Sequence, residues 1–230
     1  MERTFLYHAL ASGVSGRITA PFQDLIEVQA ASALPPTGGY SASRVENFRY
    51  KEILSFRSAT TLTIGTFSDT KGKYNTLATV TIEGLNVLGA ITADRIVARL
   101  ASSQPEEGGP PEVSIVGSHY QNLQVAGCPL DVQPDLRRLA DYSRPKRVNL
   151  QSLMIPPELD EDCGIKLLED GAFEIPQLGK LYLLEFLSTP CYQSLTMLHL
   201  DLGCPVESGG SRSGGVACAH ASSNGEFYPP

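Results

Sequence analysis

Four side chains suited to metal ligation, His199, Cys204, Cys218 and His220, fall in the last quarter of the chain. Cys218 and His220, two residues apart, are expected to share one face of a strand, as two ligands of one metal would. No recognised zinc spacing joins them and no Cys-x-x-Cys pair occurs, so neither a metal nor another cofactor is expected. Nucleophilic chemistry has candidates without a pattern: Cys128 and His119 flank one short string, and any of the 4 histidines could meet any of the 5 cysteines in space. "GVSGR" (13–17) lacks the second glycine of a nucleophile elbow and reads as a turn before a strand at Ile18. Asp160 and Asp162 begin like a calcium loop, but Gly164 stands where the next ligand belongs. For an enzyme, a hydrolase or a cyclase holding a small molecule between sheets, His8, Asp94, Arg95 and His119 are the polar groups that would have to converge.

One basic cluster stands apart from these. Arg137, Arg138, Arg144, Lys146 and Arg147 are opposed only by Asp141, and they are the binding residues expected for an anionic surface or the charged face of a protein partner. The whole chain is acidic, with a net charge of −7 and a pI near 5.1, which argues against a nucleic-acid partner. Neither Gly-x-Gly-x-x-Gly nor a P-loop is present to cradle a phosphate.

The elements that must carry these residues read as strands. "ATTLTIGTF" and "YNTLATVTI" are rich in Thr, Val and Ile, and "SDTKGK" between them supplies a turn, so 59–82 is a β-hairpin. "KLYLLEFL" and "SLTMLHLDL" make a second hairpin over 180–202, with Leu198, Leu200 and Leu202 alternating with Met197, His199 and Asp201. "AITADRIVARLAS" has a helical competitor over 93–101, since Ile96, Val97 and Leu100 are spaced i, i+1, i+4; the alternation of Ile91, Ala93 and Arg95 favours a strand.

Between the hairpins the texture changes. "SSQPEEGGPPE" (102–112) reads as an inserted loop, and "QPDLRRLADYS" and "PPELDEDCGIKLLED" as short helical or irregular segments within 133–170. The stretch from Ser208 is dominated by small residues and is expected to be flexible, with Phe227 and Tyr228 able to pin its end. The 5 cysteines leave a pair of bridges with a spare thiol, or reduced buried thiols, open, so they do not fix the compartment.

Three six-residue strings share one pattern: Val45-Glu46-Asn47-Phe48-Arg49-Tyr50, Ile82-Glu83-Gly84-Leu85-Asn86-Val87 and Tyr120-Gln121-Asn122-Leu123-Gln124-Val125, starting 37 and then 38 residues apart. Gly16–Ala20 echoes Gly89–Ala93, and Gly127-Cys128-Pro129 recurs as Gly203-Cys204-Pro205. A fixed period of this kind points to one supersecondary unit used repeatedly. Within the second string, Ile82 and Leu85 fall on opposite faces unless a bulge intervenes at Gly84.

The run "ATVTIEGLNVLGAITADRIVA" (78–98), with "SGRITAPF" and "ALPPTGG", resembles the repeated core of bacterial surface proteins of the choice-of-anchor P type, over roughly 10–130. That resemblance implies a β-rich, non-enzymatic extracellular module and carries over no catalytic residue. "MERTFLYHALASG" does not read as a leader, because Glu2 and His8 interrupt it, so the default expectation is cytoplasmic, and extracellular if a leader has been removed. No apolar run approaches the roughly 20 residues of a membrane span.

At 230 residues and 42% hydrophobic content the chain is long enough and apolar enough to bury a core. The expected fold is mainly β, a repeat-built sandwich, prism or solenoid with short helical or irregular insertions. The expected parts are a repeat-containing β domain over 1–132, an insertion over 133–170, and a C-terminal hairpin and Gly/Ser-rich tail over 171–230 packing on the same domain. The expected function is a non-catalytic structural or binding module, surface-associated or self-assembling. Its expected partners are proteins or further copies of itself, met through sheet edges and loops.

Overall fold

A computed structural model describes residues 4–20, 22–137, 139, 148–159, 163–189, 192–203 and 213–228. Long strands come first: β1 (Thr4–Ala20), β2 (Asp24–Ala33), β3 (Gly39–Tyr50), β4 (Leu54–Ser68), β5 (Lys73–Val87) and β6 (Ile91–Pro105). Short ones follow: β7 (Glu112–Ser114), β8 (His119–Gln121), β9 (Gln124–Val125), β10 (Cys128–Pro129), β11 (Gln133–Pro134), β12 (Val148–Ser152), β13 (Met154–Ile155), β14 (Lys166–Leu167) and β15 (Phe173–Ile175). Three long strands close the chain: β16 (Gly179–Thr189), β17 (Tyr192–Leu202) and β18 (Ser213–Tyr228).

The chain is mainly β and sandwich-like. Sheet I has the order β14-β15-β16-β17-β18-β1-β2, with β12 also paired to β16. Sheet II has the order β10-β9-β6-β5-β4-β3, with β7 and β8 also on β6, and β11 pairs β13 apart from both. Pairing within the sheets is antiparallel. Sheet I lies over sheet II, with β1 packed on β4 and β5, and β18 on β5 and β6. Both hairpins form, as β4–β5 and β16–β17, and β6 is a strand rather than a helix because its neighbours pair with it from Ile91 to Pro105. The loop read over 102–112 is shorter than expected, since β6 runs to Pro105.

The Gly/Ser-rich C-terminal stretch is the largest departure from the expected layout. Rather than a flexible tail, its described part, 213–228, forms β18, bonded to β17 on one side and β1 on the other. Small residues suit this place because the sheets approach closely beside it. A Cβ on Gly13 would lie 2.7 Å from the Gln29 carbonyl and 3.1 Å from Ala59 Cβ of the opposite sheet.

Each sheet carries one row at which the pleat changes phase. In sheet II the ladders skip a pair at Asn47, Arg57, Gly84 and Asp94. Asn47, Gly84 and Asn122, the third residues of the three related strings, have φ of 53°, 64° and 51°. A left-handed residue reverses the alternation, so two successive side chains face outward. Ile82 and Leu85, three apart, therefore both enter the core, and no shift in pairing is needed. Asn and Gly adopt this conformation at the least cost. Gly16–Ala20 and Gly89–Ala93 do not occupy equivalent places: the first ends β1 in sheet I, and the second leads from a turn into β6 in sheet II.

Sheet I has its own row, with Ala30, Leu184 and Ala219 at φ of 54°. Here the skipped pairs involve Gly13, Ala30, Ala219, Met197 and Leu184, and these residues are buried. Sheet I thus swells toward sheet II at the level where sheet II swells outward, and the two nest.

The rows divide the core. Below them lie Leu54, Phe56, Leu85, Val87, Ile91, Leu123, Leu198 and Leu200. Above them buried hydroxyl side chains, including Thr61, Thr63 and the Thr76–Ser223 pair, mix with the aliphatic side chains Val80, Ile82, Ile96 and Leu100. Aromatic residues close that end: Phe5 stacks on Tyr74 at 4.1 Å and meets Phe227 at 5.2 Å. The two open sides of the sandwich differ. One is bridged by the Cys128–Cys163 disulfide, from β10 at the edge of sheet II to the segment before β14 at the edge of sheet I. Along the other, β2 and β3 run side by side without ladder bonds between them.

Candidate functional site

The polar groups singled out by sequence separate onto the two outer faces. Asp94, Arg95 and His119 lie on the outer face of sheet II, where Arg95 pairs with Gln121 and Val97 with His119. Around them runs a charged stripe. Arg95 donates to Glu83 at 2.6 Å, Ser58 to Glu83 at 3.1 Å, and Arg57 lies 3.4 Å from the same carboxylate. The Arg95 guanidinium, helped by the Ser58 hydroxyl, holds the Glu83 carboxyl below its ordinary range. Asn122 donates to Asp94 at 2.6 Å. This network crosses sheet II where the pleat reverses, because the reversal puts Glu46, Arg57, Glu83, Asp94 and Asn122 outside. His119 sits against the Gly117 carbonyl at 2.9 Å.

His8 is on the outer face of sheet I, across the sandwich from the other three, so no common pocket joins the four. Its Nε2 lies 3.6 Å from Glu226. The middle of this face is recessed. Ser12 pairs with His220, His220 with Thr196, and Thr196 with Glu185, making one row. The His220 Nδ1 and Thr196 Oγ1 are 2.9 Å apart, and His199 lies 3.2 Å from the buried Glu185 and 3.1 Å from Asp201. The Tyr182 ring stacks on His199 at 5.7 Å. The carboxylate of Glu185 raises the His199 pKa, whereas burial lowers that of His220.

Cys218 and His220 do not share a face. The left-handed Ala219 between them turns Cys218 into the core and His220 outward. Burial pushes the Cys218 thiol up to about 12, which makes it inert as a nucleophile. Cys128 is bonded to Cys163, so it offers no thiol to His119. Among the described residues no group of three or more His, Cys, Asp or Glu side chains is placed to hold a metal ion. Cys204, Asp160 and Asp162 lie outside the described residues.

Of the basic cluster, Arg137 is exposed in a short helical turn begun at Asp135, whose carboxylate accepts from the Arg137 amide at 3.1 Å. Arg138, Arg144, Lys146 and Arg147 lie outside the described residues. Beside Arg137 an apolar groove of about 430 Å³ runs between Pro110, Pro111, Val113 and Val116 on one side and Leu136 and Leu139 on the other. A second groove, of about 440 Å³, opens on the outer face of sheet I and holds His8, Leu10, Tyr192 and Asn224. Sequence reasoning picked out only His8 of these, since strands far apart in the chain supply the rest.

Several exposed large hydrophobic side chains lie on or next to the edge strands β2 and β3, while Val116, 63% exposed, lies away from them. Tyr40 is 75% exposed, Leu25 63% and Val28 53%, and Phe22 is exposed just before β2. Val28 is turned out where the β1–β2 register shifts between Val14 and Gly16. No helix among the described residues is long and apolar enough to cross a membrane.

A family model described as a domain of unknown function, DUF8256, matches residues 5–161. That stretch includes every strand of sheet II together with β1, β2 and β12 of sheet I. No curated protein and no solved structure matches the chain.

Proposed function

The chain belongs to the DUF8256 family, and we propose that it is a non-catalytic, surface-associated module that assembles with further copies of itself through the β2–β3 side of the sandwich. The observation that carries this reading is the difference between the two sides. One side is stapled by Cys128–Cys163, and the other presents two adjacent edge strands with Leu25, Val28 and Tyr40 exposed. Unpaired strand edges template pairing with another chain unless they are blunted. On β3 the left-handed Asn47 breaks the ladder, so the stretch from Gly39 to Glu46 is the part suited to pairing.

A second copy suits this edge because antiparallel pairing is self-complementary. Arg44 and Glu46, 2.5 Å apart and both exposed, put opposite charges two residues from each other on β3. The disulfide supports placement in an oxidising compartment, in keeping with a surface role. Replacing Val28 and Tyr40 together by Lys puts charge on both edge strands, and the variant should be monomeric where the parent chain assembles. Equal mass for both chains at every concentration would refute assembly through this side.

A further inference from the structure

We propose that the groove on the outer face of sheet I binds a neutral saccharide. It lies across β17, β18, β1 and the end of β2, and its volume of about 440 Å³ falls within the roughly 300 to 1,000 Å³ of small-molecule sites. His8 and Asn224 face each other directly in the β1–β18 ladder, so two of its polar groups stand on paired backbone rather than on loops.

Asn224 is the residue that points to a ligand. It is only 7% exposed and lines the groove, yet its carboxamide has no hydrogen-bond partner among the described residues. The three fully buried side-chain polar atoms without a partner, on Ser32, Thr61 and Gln193, do not include those of Asn224, so its carboxamide is reached from the groove and is open to an incoming polar group.

The other walls select the class. The carboxamide offers donors and an acceptor together, the Glu226 carboxylate accepts, and the His8 imidazole can do either, a combination that matches hydroxyl groups. Beside them stand Leu10, 43% exposed, next to His8 on β1, and Tyr192, 38% exposed, whose ring can cover the C–H face of a pyranose. Glu226 and the net charge of −7 disfavour an anionic ligand. A simple cation has less to gain, because His8 already lies 3.6 Å from Glu226. Sugar binding does not depend on the assembly proposed above.

The test is a titration of the ¹⁵N-labelled full chain with maltotriose, cellotriose and tri-N-acetylchitotriose, and with trigalacturonic acid as the anionic counterpart. At least one neutral trisaccharide should shift the Asn224 side-chain amide and the His8 backbone signal saturably, with a Kd on the order of 1 mM or tighter. Asn224→Ala and Tyr192→Ala should each weaken that binding about tenfold or more with the melting temperature unchanged, and trigalacturonic acid should not bind. If Asn224→Ala fails to fold, Tyr192→Ala still decides, because its side chain is at the surface. Running the same titration on the Val28→Lys/Tyr40→Lys chain separates sugar binding from assembly. The proposal is overturned if no neutral sugar shifts these signals, if both single variants bind as the parent does, or if the acidic sugar binds as tightly.

Discussion

The hydroxyl of Tyr120, on β8 of sheet II, donates to the main-chain carbonyl of Met197, on β17 of sheet I. Met197 stands where the β16–β17 and β17–β18 ladders each skip a pair, and the cross-sheet phenol supplies its carbonyl with a donor from the other sheet. Burial keeps that phenol protonated by raising its pKa strongly. Tyr120→Phe removes that donor, at a cost of about 1 to 3 kcal/mol. Urea denaturation should show a lower midpoint with an unchanged slope; an unaltered midpoint would mean the bond contributes nothing.

The left-handed row gives a second test. Gly84 has φ of 64°, and a Cβ there would lie 3.1 Å from Arg57 Cβ. Gly84→Ala should therefore cost at least about 1 to 2 kcal/mol, while Asn47→Gly, in the same conformation on β3, should be close to neutral. Paired chemical denaturation curves of the two variants check the contrast.

Leu85 and Leu123 follow the left-handed residues Gly84 and Asn122, and each is 2% exposed. Truncating either to Ala should cost on the order of 2 to 5 kcal/mol, and the two losses should be similar. A near-neutral result for both in urea melts would show that these positions do not hold the sheet.

The Cys128–Cys163 bridge closes a loop of sequence separation 35 and ties the edges of the two sheets. The double variant Cys128→Ser/Cys163→Ser should lose roughly 3 to 4 kcal/mol on the chain-entropy estimate. Thermal melts of the parent chain with and without reductant should reproduce the loss, and the variant should be insensitive to reductant.

His199 and His220 should give pH dependences of opposite sign. With Glu185 and Asp201 beside it, His199 has a raised folded pKa. Its contribution is complete below the ordinary value near 6.5 and is lost as pH rises through the raised one. His220 is shifted down by burial, so its contribution is complete above that value and is lost as pH falls through the lowered one. Melting temperature against pH should flatten on the alkaline side in His199→Gln and on the acidic side in His220→Gln.

Much of sheet II was legible because its strands carry strong local signals. Thr-, Val- and Ile-rich runs around "SDTKGK" specify the β4–β5 hairpin, and Asn or Gly at the third place of each related string is the residue type that a left-handed conformation favours. Sheet I was harder. Ala30, Leu184 and Ala219 take the same conformation without a sequence signal for it, so Cys218 and His220 looked like neighbours on one face and are not. β18 looked like a tail because close sheet packing selects the Gly, Ser and Ala that also mark mobile chain. The groove residues His8, Tyr192 and Asn224 could not be grouped from spacing, because pairing of β1 with β18 brings together the two ends of the chain.

Mass-resolved light scattering on the purified chain over a concentration series, beside the Val28→Lys/Tyr40→Lys variant, tests assembly most directly. The parent mass should rise from that of one 24.7 kDa chain to two or more with concentration, while the variant stays at one. A parent chain that remains monomeric throughout, or a variant that assembles equally well, would contradict association through the β2–β3 side.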